Sequence, residues 1–105
     1  ANPVLKNLPN SASTPELNIK MAEGAPFTLI DKLKAEGEFN KFDKIITIDG
    51  VRVEYADGFG LARPSNTTPV VVLRFEADNA VALERIQADF RQALRAVWPG
   101  IQLPF

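Results

Sequence analysis

The chain has 105 residues, 46% of them hydrophobic and 24% charged, with a net charge of −1. That size suits one domain, which can bury about two thirds of its unfolded surface around a single core. The near-neutral balance argues against nucleic-acid binding by bulk phosphate neutralisation but leaves room for one local anion site, and the absence of cysteine and histidine excludes disulfides, thiolate nucleophiles, Cys/His zinc sites and a Ser-His-Asp triad.

Residues 1–15 are rich in proline, asparagine and serine and read as a linker or extended arm. Their start, ANPVLKNLPN, has no charged stretch leading into an apolar core, so no signal peptide is recognised. No run in the chain approaches the ~20 apolar residues of a membrane span. A cytoplasmic protein is expected, with the folded domain over residues 16–105. Leu17, Ile19 and Met21 alternate with Asn18 and Lys20, which predicts a short strand. Pro26 suits the first turn of a helix, Phe27, Ile30 and Leu33 recur at helical spacing, and Gly37 is its expected stop.

A meander follows. Ile46 and Ile48 lead into Asp49-Gly50, and Val51, Val53 and Tyr55 come after; Asp-Gly between alternating runs signals a hairpin, because both residues tolerate positive φ. Asp57-Gly58 repeats the signal before Phe59 and Leu61. In the strand Val70 to Glu76, Val71, Leu73 and Phe75 can face a core, and Val72, Arg74 and Glu76 the other side. Asp78 or Asn79 can cap a last helix whose apolar stripe is Leu83, Ile86, Phe90, Leu94 and Val97. Arg91 and Arg95 suit its C-terminal half, and Pro99-Gly100 ends it. The order β-α-β-β-β-β-α predicts an α+β fold, a mainly antiparallel sheet with both helices on one face.

Between the last two strands lies RPSNTTP, residues 63–69. Arg63 offers a planar fork of donors for phosphate oxygens. Ser65, Thr67 and Thr68 add hydroxyls, Asn66 adds an amide, and a tight loop can turn backbone N–H groups inward as an anion nest. The same residues also make an ordinary turn, and composition leaves both readings open. Asp49, Glu54 and Asp57 lie near the hairpins and are explained by turns and an exposed strand face. Glu76 and Asp78 are spaced like part of a metal site that nothing completes. Arg52 and Arg74 share a sheet face on which a second anion contact or plain solvation is expected. No catalytic set is complete, so the loop resembles one wall of a larger site.

Asp49 to Glu76, DGVRVEYADGFGLARPSNTTPVVVLRFE, closely resembles the C-terminal domain of the bacterial phosphomannomutase/phosphoglucomutase family, a branch of the α-D-phosphohexomutases. The likeness continues through EADNAVALERIQADFRQAL and the closing LPF, and reaches back to STPELNI near the family's interdomain hinge. It covers residues from about 13 to 105. The related phosphoglucosamine mutases typically carry Ser-Gly-Thr-Glu where this chain has Ser-Asn-Thr-Thr.

The resemblance implies a TBP-like β-α-β(4)-α fold, which agrees with the order read from the residues. It implies that Arg63, Ser65, Asn66 and Thr67 contact the substrate's phosphate group, with Thr68 matching the motif. Pro64 stands where a small residue is frequent in the family and removes one N–H donor. The family's full enzyme has four domains, and the others carry a phosphoserine, a DGDxD-type Mg²⁺ loop and a sugar-recognition loop. None of those motifs occurs here. No catalytic residue, metal ligand or cofactor is therefore expected in this chain, and Mg²⁺ is implied only for the full-length enzyme. The implied partners are hexose phosphates (glucose or mannose 1- or 6-phosphate and the bisphosphate intermediate) and the other three domains, with neither nucleic acid nor membrane. The expected role is to grip phosphate and close the active site by rotation about the arm near Ser13–Glu16 during reversible 1-/6-phosphoryl transfer. The isolated chain, which lacks an initiator methionine, is expected to be an inactive fragment. The alternatives are a stand-alone phospho-ligand-binding or regulatory module, and a purely structural domain without anion binding.

Overall fold

A computed structural model of the chain describes residues 12–105. The arm expected over residues 1–15 therefore lies outside the described residues as far as residue 11. The elements are β1 (Ala12–Ser13), β2 (Leu17–Lys20), α1 (Ala25–Glu36), β3 (Lys44–Ile46), β4 (Val51–Tyr55), β5 (Gly58–Pro64), β6 (Val70–Ala77) and α2 (Ala80–Val97). The sheet runs β6-β5-β4-β3, with β1 and β2 both on the free side of β6, and every pairing is antiparallel. This is the predicted α+β architecture. The short extra strand β1 extends it: Ala12 and Ser13 pair with Ala77 and Glu76, and Thr14 donates its N–H to the Phe75 carbonyl at 3.0 Å.

Alternation decides which face is buried. Val51 and Val53 of β4, Ala62 of β5 and Val71, Leu73 and Phe75 of β6 are all at or below 1% exposure and meet both helices. The apolar stripe of α2 docks there through Ile86, Phe90, Leu94 and Val97, with Leu83 at its margin. Phe90 is central to this packing. Its ring lies against Gly60 so closely that a Cβ at residue 60 would overlap it. Phe39 and Phe75 flank it at centroid distances of 4.9 and 5.2 Å, and Phe105 stacks on Phe75 at 5.0 Å. Asn79 caps α2, accepting the Ala82 N–H at 2.8 Å, so of the two predicted caps it is the second that acts.

Two local expectations are corrected, and a third, the Gly37 stop, holds. Phe27 is 51% exposed, and the buried face of α1 is instead Pro26, Leu29, Ile30 and Leu33, a wider stripe that starts one residue earlier. Gly37 does end α1, but in an extended conformation; it is required because a Cβ there would come within 2.5 Å of the Leu33 carbonyl oxygen. The Asp-Gly pairs mark hairpins without forming the two-residue turns that positive φ suggests. Ile48 sits in the β3–β4 turn, 93% exposed, and of the four residues in the two Asp-Gly pairs only Gly50 adopts a left-handed φ, of 88°. The β4–β5 turn is Ala56-Asp57; Gly58 already pairs with Tyr55, and its Cβ would strike the Glu76 carbonyl.

Gly60→Ala should lower stability by about 1–3 kcal/mol through overpacking against Phe90. Urea unfolding of Gly60→Ala, Phe90→Leu and the double variant checks this. The two losses should sum to more than the double variant shows, because the smaller ring vacates the space the methyl needs.

Candidate functional site

The β5–β6 register builds the loop. Arg63 pairs with Val72, which alternates with the core residues Val71 and Leu73, so Arg63 projects from the open face of the sheet, away from the helices. Ser65 donates its N–H to the Val70 carbonyl at 2.9 Å and so continues the ladder with its side chain on that same open face. The alternation of the antiparallel ladder points the Pro64 nitrogen away from β6. On that side β4 has already ended, since its last pair with β5 is Val51 with Ala62. The donor that proline removes therefore costs no ladder bond.

Ser65 Oγ is the centre of the loop. It accepts the N–H of Thr67 at 3.3 Å and of Thr68 at 3.4 Å, and the Thr68 hydroxyl at 3.3 Å, while the Thr67 hydroxyl lies 3.4 Å away. These separations exceed the usual hydrogen-bond range, so each is a weak contact that a better acceptor can replace. Asn66, Thr67 and Thr68 are exposed. The return of the chain is firmer. Val70 donates to the Thr68 carbonyl at 2.8 Å, and Met21 donates to the Pro69 carbonyl at 2.9 Å, tying the end of β2 to the loop.

The two sides of the loop differ in charge. Toward the helices, Ser65 to Pro69 enclose a cavity of about 140 Å³ with Glu23, Gly24, Pro26 and Phe27. Glu23 is the charged side chain of that lining, and Arg63 is not part of it. The N-terminus of α1 opens there with no side-chain cap and no acidic residue in its first turn, and Glu23 is the acidic group beside it. On the open face stand Arg63 and Ser65, and the backbone donors of Thr67 and Thr68 converge on Ser65. The open face would offer an anion the Arg63 guanidinium, whereas the helix side sets the Glu23 carboxylate against it. Arg63 makes no ion pair or side-chain hydrogen bond among the described residues.

The other sequence candidates fall elsewhere. Arg52 and Arg74 both stand opposite Leu61 and do share the open face. Arg52, however, is held by Glu54 at 2.9 Å and lies 4.1 Å over the Phe59 ring. The same ion pair lowers the Glu54 pKa. Asp57 pairs with Arg85, which likewise lowers its pKa. No group of three or more acidic side chains placed to hold a metal ion occurs among the described residues. These residues, each paired or scattered over separate elements, do not form a Mg²⁺ site. No helix among the described residues is long and apolar enough to cross a membrane.

One polar residue escaped the sequence reading. Asp89 is 7% exposed on the buried side of α2. It accepts the Asn40 backbone N–H at 3.0 Å, the Asn40 side-chain amide at 3.0 Å and the Tyr55 hydroxyl at 2.7 Å. Burial and this bond raise the Tyr55 pKa well above its ordinary value. The available signal was position: Asp89 lies on the apolar stripe between Ile86 and Phe90, where a carboxylate needs buried donors.

Fold and loop together define a small α+β domain that presents an anion-suited turn at one end of an antiparallel sheet. The chain belongs to the family of phosphoglucomutase/phosphomannomutase C-terminal domains, whose family model matches residues 16–93. It is 55% identical over 101 residues to a phosphoglucomutase of Neisseria meningitidis, covering 91% of this chain and 22% of that protein. It is 48% identical over 105 residues to a phosphomannomutase/phosphoglucomutase of Pseudomonas syringae, covering all of this chain and again 22% of the relative. A crystal structure of a phosphoglucomutase/phosphomannomutase family protein from Burkholderia thailandensis superposes with a TM-score of 0.83 at 60% identity, over 97% of this chain and 21% of that one. The chain thus spans about a fifth of the length of these relatives.

Asp89→Asn leaves a buried amide facing donors that a carboxylate satisfied, and should destabilise by about 2–3 kcal/mol in urea unfolding at neutral pH. The alkaline side has a sign of its own. The folded-state pKa of Tyr55 lies above the ordinary value of 10.0, so its contribution is intact below about pH 10 and is lost as the unfolded state ionises above it. Stability should fall above about pH 10, and Tyr55→Phe should flatten that fall relative to wild type.

Proposed function

We propose that this chain is the phosphate-gripping domain of a cytoplasmic phosphohexomutase acting on glucose or mannose phosphates. Its role is to hold one phosphate of the substrate while the other is exchanged elsewhere in the parent enzyme. The observation that carries this reading is the shared open-face placement of Arg63 and Ser65, with the Thr67 and Thr68 amides converging on Ser65 Oγ, in a chain of this family.

The chemistry follows from the donor set. A phosphate oxygen is a charged acceptor and makes shorter, stronger hydrogen bonds than the Ser65 hydroxyl. It takes over the donors of Thr67 and Thr68, frees the Ser65 hydroxyl to donate in turn, and meets the Arg63 guanidinium in bidentate fashion. Asn66 at the loop tip adds an amide donor. The residues grip phosphate and not sugar, so either end of a 1,6-bisphosphorylated hexose fits. The loop breaks no bond; it contributes position and charge stabilisation, and the isolated chain has no mutase activity. Closure by rotation about the arm near Ser13–Glu16 would release the two β1 pairs and the Thr14 bonds from β6, a short stretch of edge pairing.

Amide shifts of the ¹⁵N-labelled chain titrated with glucose 1-phosphate test this. They should concentrate at residues 63–68, and Arg63→Ala should weaken binding about ten- to a hundredfold, the worth of a charged hydrogen-bonding partner. Shifts confined to other regions would remove the loop from the site. Binding without any dependence on Arg63 would favour a different grip on the anion.

A further inference from the structure

We propose that Lys20 is a second cation of the phosphate site, facing Ser65 across strand β6 and one open-face row away from Arg63. The inference rests on the reading that the loop binds a phosphate monoester. Nothing in the sequence motif points to Lys20, which lies more than forty residues upstream on β2; the sheet topology brings it there.

The placement follows from register. Lys20 pairs with Val70, and Ser65 bonds to Val70 from the other side, so Lys20, Val70 and Ser65 form one row across β2, β6 and β5. Ile19, the neighbour of Lys20, is in the core at 5% exposure, so alternation sends Lys20 to the open face with Ser65 and Arg63. The strands of Lys20 and Ser65 lie two spacings apart, about 9–10 Å, and a flexible four-carbon stem spans much of that distance over Val70. The hydrogen bond from Met21 to the Pro69 carbonyl pins this end of β2 to the loop. Lys20 is exposed and makes no ion pair among the described residues, although it also borders a groove under Trp98. Val70 between them carries no charge, so an anion seated over this row would meet no carboxylate on it.

A dianion seated at Ser65 would then be flanked by a guanidinium on one strand and an ammonium two strands away. The division suits a ligand that must be exchanged. Arg63 supplies directed, bidentate bonds, and Lys20 supplies a mobile point charge that follows the phosphate as it turns.

Titration of the full 105-residue chain with inorganic phosphate and with glucose 1-phosphate, followed by amide shifts at low and high salt, tests this. Lys20→Ala should weaken both ligands about five- to tenfold at low salt, with the gap closing as salt rises. Lys20→Arg should retain most of the affinity, and Lys34→Ala, a charge loss on α1 outside the site, should have no comparable effect. Unchanged spectra away from residues 63–70 establish that the fold is intact. If Lys20→Ala binds as wild type does while Arg63→Ala does not, the Lys20 assignment is overturned and the phosphate reading stands. An equal loss in Lys34→Ala also overturns it, since net charge alone would then account for the effect. If wild type shows no shifts at residues 63–68 with either ligand, the phosphate reading fails and the Lys20 assignment falls with it.

Discussion

The close approach of the Phe90 ring to the backbone of Gly60 sets the geometry of the whole domain. It brings α2 onto the middle of the sheet, at the strand pair β5–β6 from whose ends the loop hangs. Phe39, Phe75 and Phe105 extend the contact into a run of aromatic rings, so three separate stretches of chain converge on one position. Without a methyl-free site at residue 60, the helix would ride higher and the core side chains Val71, Leu73 and Phe75 would lose their close fit. The register that puts Arg63 and Ser65 on one face is thus held from the opposite face, by packing that touches neither residue.

The two ends of the sheet are built differently. At the β4–β5 hairpin the polar groups are used up: Asp57 is clamped by Arg85, and Asp89 is filled by Asn40 and Tyr55. A buried carboxylate supplied with donors on every side stiffens the region around it. At the β5–β6 loop the donors are long-bonded and exposed, and Arg63 has no partner among the described residues. Under the proposed function, rigidity at one end and unspent hydrogen-bonding capacity at the other suit binding, because a loop on a firm scaffold loses less freedom when it closes on a ligand.

Much of this was legible in the chain, for identifiable reasons. The meander, the α2 stripe and the Asn79 cap follow from periodicity and side-chain chemistry that act over a few residues. The inward side of β6 follows from strict alternation. The misreadings share a cause. Phe27 is apolar yet exposed, and Gly58 is required by its contact with Glu76 rather than by its own backbone angles, as is Gly60, which no pattern singled out, by its contact with Phe90. Such requirements come from residues distant in sequence or across a sheet, and no local pattern encodes them. Asp89 is an intermediate case: its position on the stripe flags it, but its partners Asn40 and Tyr55 lie 49 and 34 residues away. The loop motif was visible as a set of residue types. Its division into an Arg63 side and a Glu23 side was not, since Glu23 reaches the loop only through the β2–α1 connection.

If the loop grips a phosphate as proposed, its hydrogen bonding bears on how that phosphate can be held and still let go. Were the loop donors locked in short bonds, an incoming anion would have to break them at full cost; were they unpaired, the free loop would be disordered and binding would carry the entropy of ordering it. Ser65 Oγ sits between these limits, an acceptor good enough to gather the Thr67 and Thr68 amides and poor enough to yield them to a charged oxygen. In this proposal the hydroxyl would return to its place on release and the loop would keep its shape. Under the proposed function this matters more than tight binding, because a phosphate that must give way to its counterpart at the other end of the same sugar is better served by a preformed, moderate grip than by a deep one.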